Sequence, residues 1–217
     1  GNVRVFWGHD QKYYDQAAWR GTWRQDGGVL MNQSVHALDL MLYLMGGNVL
    51  SVNSMLGKQL HEMQAEDIAM GIMKFDNGAF CTIEGTTNTS PDVPFASFSI
   101  QCTNGSILAG IRKGKPFFDI RDENDKKING RYIRKLIKTT RKESGLLSLK
   151  KFANPHSGIL KDLAECIIND RTPRADGVSG KRSLELVLGM YKSAKEKREV
   201  SLPLDYFSTD DMESFVF

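Results

Sequence analysis

The hydrophobic pattern is densest between Asp26 and Gly47, DGGVLMNQSVHALDLMLYLMGG, where apolar residues occupy nearly every helical position between two glycine pairs. This predicts a helix with Asp26 as its N-cap and Gly46-Gly47 as its left-handed stop. Val29, Leu30, Met31, Val35, Leu38, Leu40, Met41, Leu42, Leu44 and Met45 point almost all round such a helix, so it is expected to be buried on every side. Its polar exceptions, Asn32, His36, Asp39 and Tyr43, fall at i, i+4, i+7 and i+11, on one stripe. A buried polar stripe costs free energy unless its members find partners. It is therefore either a hydrogen-bonded seam or the wall of a site.

Period-two alternation dominates the rest of the first half. Asn2 to Trp7 reads as a strand, and strand patterns recur over Asn48–Gln59, Ile68–Phe75, Ala79–Thr87, Phe95–Cys102, Ser106–Gly110 and Pro116–Arg121. Asp76-Asn77-Gly78 and Asn104-Gly105 are hairpin turn signals, the first of type I′ by its Asn-Gly pair. Helical patterns return at Ser157–Asn169, with Ile159, Leu160, Leu163, Cys166 and Ile167 as the apolar side, and at Ser179–Lys197, with Leu184, Val187, Leu188, Tyr191 and Ala194 inward. Val200–Leu204 reads as an edge strand, and residues 206–217 as a frayed tail. The expected class is α+β: an open, mostly antiparallel sheet with helices packed on one face, in a single domain over 1–217. The other sheet face would be free to bury against a second subunit.

Two stretches break the pattern. Gly8 to Gln25 is a predicted loop carrying Tyr13, Tyr14, Trp19, Arg20, Trp23 and Arg24; it either folds back over the core or recognises a ligand. Between Lys126 and Lys151 ten Lys or Arg residues face one acid, Glu143, within a basic insertion at 122–152. A solvated insertion is the plain reading, a surface for phosphate groups or an anionic membrane the sharper one, and nucleic acid a poor third without a recognition motif.

Composition changes the picture little: 41% hydrophobic, 25% charged and a net charge of +3 are ordinary globular values. Cys81, Cys102 and Cys166 are odd in number and widely spaced, which argues against a disulfide framework and for a reducing, cytoplasmic setting. No stretch reads as a signal peptide or a membrane span. No GxGxxG, GxxxxGK[ST] or GxSxG occurs, and no His pair has metal-binding spacing, so neither a dinucleotide loop nor a metal site is expected in this chain. What remains is His36, with Asn32 a turn before it and Asp39 a turn after. An imidazole suits proton exchange with an alcohol, yet a base alone supplies no hydride acceptor.

The helix, together with AEDIAMGIMKFDNGAFCTIEGTT, the Asn104-Gly105-Ser106 turn and RTPRADGVSGKRSLELVLGMYKSA, resembles the second domain of the Gfo/Idh/MocA oxidoreductases. The resemblance covers nearly everything outside 122–152. It implies a glyceraldehyde-3-phosphate-dehydrogenase-like substrate and oligomerisation domain, with NAD or NADP and the catalytic lysine of a Glu-Lys-Pro motif held by a Rossmann domain absent from this chain. It maps His36 to the catalytic acid/base. Asn32 falls where the inositol-dehydrogenase-like branch has Asp, leaving it as a substrate hydrogen-bonder. WRGTW…LMNQSVH, with Tyr13-Tyr14 ahead of it, is similar to the nucleotide-sugar branch, the UDP-N-acetylglucosamine-uronate 3-dehydrogenases. On that resemblance Tyr14, Arg20, Trp23 and Arg24 shape the sugar pocket, and His156 is a further substrate contact. The alternative is a non-catalytic binding or oligomerisation module of the same fold.

Overall fold

The computed structural model describes residues 1–144 and 157–217, and the side chains outside 139–157. Its frame is an eight-stranded sheet. β1 (Asn2–Phe6), β2 (Val49–Gly57), β3 (Ile68–Phe75), β4 (Phe80–Thr86), β5 (Phe95–Cys102), β6 (Gly105–Arg112), β7 (Lys115–Asp122) and β8 (Val200–Ser201) lie in the order β7-β6-β5-β1-β4-β3-β2-β8. Every neighbouring pair is antiparallel except β1 and β4, which run parallel with Asn2 opposite Thr82 and Phe6 opposite Thr86. Two meanders, β2-β3-β4 and β5-β6-β7, are thus joined through the first strand of the chain. The Asp76-Asn77-Gly78 turn has positive φ at Gly78 alone, with Gly78 N–H returning to the Phe75 carbonyl. That is not the expected type I′ pair, which needs two positive φ values.

Among the described residues there are five α-helices: α1 (Gln11–Asp15), α2 (Val35–Met45) entered through a π-helical segment (Val29–Ser34), α3 (Asn129–Ser144), α4 (Ser157–Asn169) and α5 (Gly177–Glu196). α2 and α5 pack against one sheet face, where alternate residues Val3, Val5, Val52, Ala69, Met73, Cys81 and Ile83 are buried beneath Leu38, Met41, Leu186, Val187, Met190 and Tyr191. α5 opens with the capping box Asp176/Ser179, which satisfies N–H groups at both residues. Gly46, in the left-handed conformation, ends α2 as the sequence predicts.

Three sequence expectations change. α2 is not buried all round: Tyr43 is 83% exposed, and His36, Asp39, Leu40 and Leu44 share that open side, because only the sheet and α5 cover it. The apolar side of α4 is likewise uncovered, with Ile159, Leu160, Leu163 and Ile167 exposed and Cys166 alone buried; Leu184 of α5 is also exposed. The tail does not fray. Thr209–Met212 forms a 3₁₀ turn, Met212 is fully buried, and Phe215 and Phe217 pack on Trp23. In the basic stretch α3 is helical to Ser144; its remainder lies outside the described residues.

Candidate functional site

The site is assembled where β1 ends, where the loop after it folds back, and where the π-helical segment begins. Gly28 precedes that segment and offers no side-chain cap. Two otherwise orphaned N–H groups are served instead from a distant residue: Val29 N–H donates to the Glu66 carbonyl at 2.9 Å and Leu30 N–H to Glu66 Oε1 at 2.8 Å. Tyr191 of α5 completes the clasp, donating its hydroxyl to the same Oε1 at 3.1 Å. Glu66 is wholly buried and its Oε2 has no partner among the described residues, and burial pushes the carboxyl up to about 8. Asp26, the expected N-cap, does other work: its carboxylate accepts from Gly21 N–H and from the Asn32 side-chain amide.

This scaffold holds the π segment tight against the sheet. Gly85 of β4 lies beneath it, and a Cβ there would sit 2.8 Å from Ser34 Oγ. Single π turns inside helices recur at functional sites because they re-aim side chains. Asn32 is presented at the start of the stripe and His36 one turn on, its ring on the exposed side of α2 and not sealed in hydrocarbon. Asp39, next on the stripe, accepts from Ser183 Oγ at 2.5 Å. It is spent on α5 and does not orient His36.

The loop lies against the Asn32 end of this stripe. His9 stacks face to face on Tyr13, with ring centroids 3.7 Å apart and planes 8° from parallel. The Arg20 guanidinium carbon lies 3.9 Å from the Tyr13 centroid and 4.9 Å from that of Trp19. Arg20 Nε is buried without a partner among the described residues. Tyr14 is buried, its hydroxyl donating to Thr87 Oγ1 at 3.2 Å, and burial raises it to about 12. Behind them Asp67 gathers donors from Gln59, Leu60 and His61 N–H and from the Asn88 amide. Burial alone would raise that carboxyl, but these donors outweigh it and hold it below the usual range. His61 bridges inward, with Nδ1 at 3.3 Å from Asp67 Oδ2 and Nε2 at 3.0 Å from the His9 carbonyl. A cavity of about 10 Å³, room for about one water, lies among Tyr13, Tyr14, Asp26, Asn32, Gln33 and Thr87. A far larger groove, about 620 Å³, runs further along α2 between Asp39, Tyr43, Arg174, Arg182 and Pro203 and does not include His36.

Of the residues predicted from sequence, Asn32 lies in the π-helical segment and lines the small cavity, His36 is exposed on the first turn of α2, and Tyr14 and Arg20 belong to the loop wall. Trp23 does not: it is a core residue, 5.2 Å edge-on from Tyr191. Arg24 turns away and pairs with Asp210 and Glu213 at 2.9 and 2.8 Å, because the tail folds back beside it. His156 lies outside the described residues. Sequence reasoning missed His9, Gln33 and Glu66, whose partners are remote in sequence or lie in the loop, and it gave Asp26 only a capping role. Among the described residues no cluster of His, Cys, Asp and Glu could hold a metal ion. The fit to a dinucleotide is equally poor, since β1, the strand with a parallel partner, is followed by an aromatic loop and not by a glycine-rich turn into a helix.

Known proteins extend this picture. The WlbA dehydrogenase of Bordetella pertussis, solved with NADH and UDP-GlcNAcA, is 29% identical and superposes with a TM-score of 0.70 over 94% of this chain. WlbA of Chromobacterium violaceum, solved with the same ligands, is 31% identical, with a TM-score of 0.72 over 94%. Levoglucosan dehydrogenase with NADH, 18% identical with a TM-score of 0.64 over 93% of this chain and 57% of its own, shares the fold. The chain spans 55% of the length of either WlbA structure. No curated protein sequence matches it. Residues 1–202 match the family described as "Oxidoreductase family, C-terminal alpha/beta domain". The chain therefore belongs to the Gfo/Idh/MocA oxidoreductase family, as its C-terminal alpha/beta domain.

Proposed function

We propose that this chain is the substrate-binding half of an NAD(P)-dependent oxidoreductase acting on a secondary hydroxyl of a sugar or nucleotide sugar. The observation that carries the reading is the exposed imidazole of His36 four residues after Asn32, with Asn32 lining a small cavity together with Tyr13 and Tyr14 of the loop. The likeness to two WlbA dehydrogenases at 29 and 31% identity supports the substrate class. The nicotinamide supplies the hydride acceptor when bound, held mainly by residues outside this chain. What the chain contributes is proton handling and placement. His36 takes the hydroxyl proton as carbonyl character develops, and Asn32 donates an N–H to a substrate oxygen. Arg20, held over the Tyr13 ring and without a carboxylate partner among the described residues, meets an anionic group of the substrate. Arg24, already paired twice, is not assigned that role.

In the intact enzyme His36→Ala is expected to lower turnover about a hundredfold or more while cofactor affinity holds. The assay is NADH absorbance with UDP-sugar substrates, and unchanged turnover removes His36 from the mechanism. The poor fit to a dinucleotide favours a second reading for the chain by itself, a non-catalytic binding module. An upstream coding sequence with a Gly-rich strand–turn–helix decides between them. We also assign the uncovered sheet face to a second copy of the chain, and the cytoplasm as compartment. All three cysteines are free, and no described helix is long and apolar enough to cross a membrane.

A further inference from the structure

The Asp26 carboxylate gives the site's polar network a direction. A carboxylate accepts and cannot donate, so Asn32 must turn its NH₂ towards Asp26. Asn32 Oδ1 then faces Gln33, whose Nε2 lies 2.6 Å away and donates to it. The same Nε2 stands 2.9 Å from His9 Nε2. An amide nitrogen has two hydrogens, one for each of these neighbours, so His9 Nε2 must offer a lone pair and the ring proton belongs on Nδ1. The order Asp26 ← Asn32 ← Gln33 → His9 has one consistent set of donors, and it leaves the second Asn32 hydrogen for a ligand oxygen.

We propose that neutral His9 is a positioning residue that locks Asn32 through Gln33, so that acid unlatches the substrate wall. A proton on His9 Nε2 would confront the Gln33 NH₂. Turning that amide over would bring its oxygen against Asn32 Oδ1 at the 2.6 Å now spanned by a hydrogen bond. The Arg20 charge beyond the Tyr13 ring opposes the same proton. His9 and the Arg20 guanidinium both lie under 4 Å from the Tyr13 centroid and so occupy its two faces, and a charged His9 would make a cation sandwich of one ring. Around His9 stand Tyr13, the edge of Tyr14 at 6.0 Å, Arg20, Gln33, His61, Asp10 and Asp26. The two acids favour protonation but are engaged elsewhere, Asp10 with Tyr13 N–H and Asp26 with Gly21 and Asn32. Burial first, then His61 and Arg20, hold His9 below its ordinary value. The inference rests on the dehydrogenase reading for its catalytic meaning, and on geometry for the latch itself.

Long-range ¹H–¹⁵N spectra of the histidine side chains test the latch without turnover. At pH 7 His9 should show the Nδ1–H tautomer and titrate below the ordinary 6.5. Gln33→Glu, which puts an acceptor in place of the donor, should move the proton to Nε2 and raise the titration of His9 by about one pH unit or more. An Nε2–H tautomer in the unmodified protein, or a titration indifferent to Gln33→Glu, overturns the proposal. In the intact enzyme His9→Gln should raise KM for the sugar about tenfold, with a smaller change in kcat, and the fall of kcat/KM in acid should become less steep, leaving only the limb that belongs to His36 as the base. A correct spectrum in an enzyme that oxidises no sugar leaves the latch standing and removes the dehydrogenase reading alone.

Discussion

Glu66 is mostly protonated at neutral pH, since burial lifts its carboxyl from 4.5 to about 8. The sign of the linkage follows. Between those values the folded chain keeps a proton that the unfolded chain has released, so stability falls as pH rises through the window, with a slope approaching about 1.4 kcal/mol per pH unit. Glu66→Gln keeps an acceptor for Leu30 and Tyr191 and cannot ionise. Denaturant titrations at pH 5 and pH 8 should show the unmodified protein losing stability between them, with the variant losing much less. Equal losses would mean that the carboxyl ionises without penalty. Neither Glu66 nor His9 was legible in the sequence, for a shared reason: their partners lie 36 and 24 positions away, and spacing arguments see one or two helical turns. His36 and Asn32 stand out in the sequence because they interrupt an apolar helix, and their part in the site is the proposal made above. Trp23 and Arg24 misled because composition marks a loop as aromatic and basic without saying which way each side chain turns.

At the level of elements, the π-helical entry to α2 depends on Gly28, two residues after the Asp26 that the pattern marked as N-cap. A Cβ on Gly28 would fall 2.1 Å from both the Glu66 carbonyl oxygen and Oε2, where backbone and buried carboxyl have no room to yield. Gly28→Ala should destabilise the fold by roughly 2–3 kcal/mol. It should also speed amide exchange at Val29 and Leu30, read by hydrogen–deuterium exchange; protection unchanged at both would deny Glu66 its capping role. The strands were legible nearly residue for residue because alternation reports a one-sided sheet directly. The surroundings of the helices were not. An apolar helix declares that it needs cover, and the uncovered sides of α2 and α4 show that this chain does not provide all of it.

For the molecule as a whole the proposed second-copy interface has a clear address. Met55, Met70, Ile72 and Phe80 stand exposed on the sheet face away from α2 and α5, Met55 directly opposite Met70 in the ladder. Sedimentation at micromolar concentration should find the protein as a dimer or larger, and Met55→Lys with Ile72→Lys should return it to monomer. A monomeric unmodified protein would withdraw the interface. That one face would be covered by helices was legible from alternation; that the two meanders meet across β1 was not, because pattern gives strands without their order. The β1 seam has a consequence of its own. Each leaf can close through hairpins between near neighbours in sequence, whereas the seam must find Thr82–Thr86 about eighty residues away, so it is expected to zip after both leaves. Once zipped, the same strand delivers Gly8 and His9 to the substrate wall. Joining of the two meanders and arrival of the recognition loop are then a single event, and a chain whose leaves are still apart would offer no misaligned version of the site.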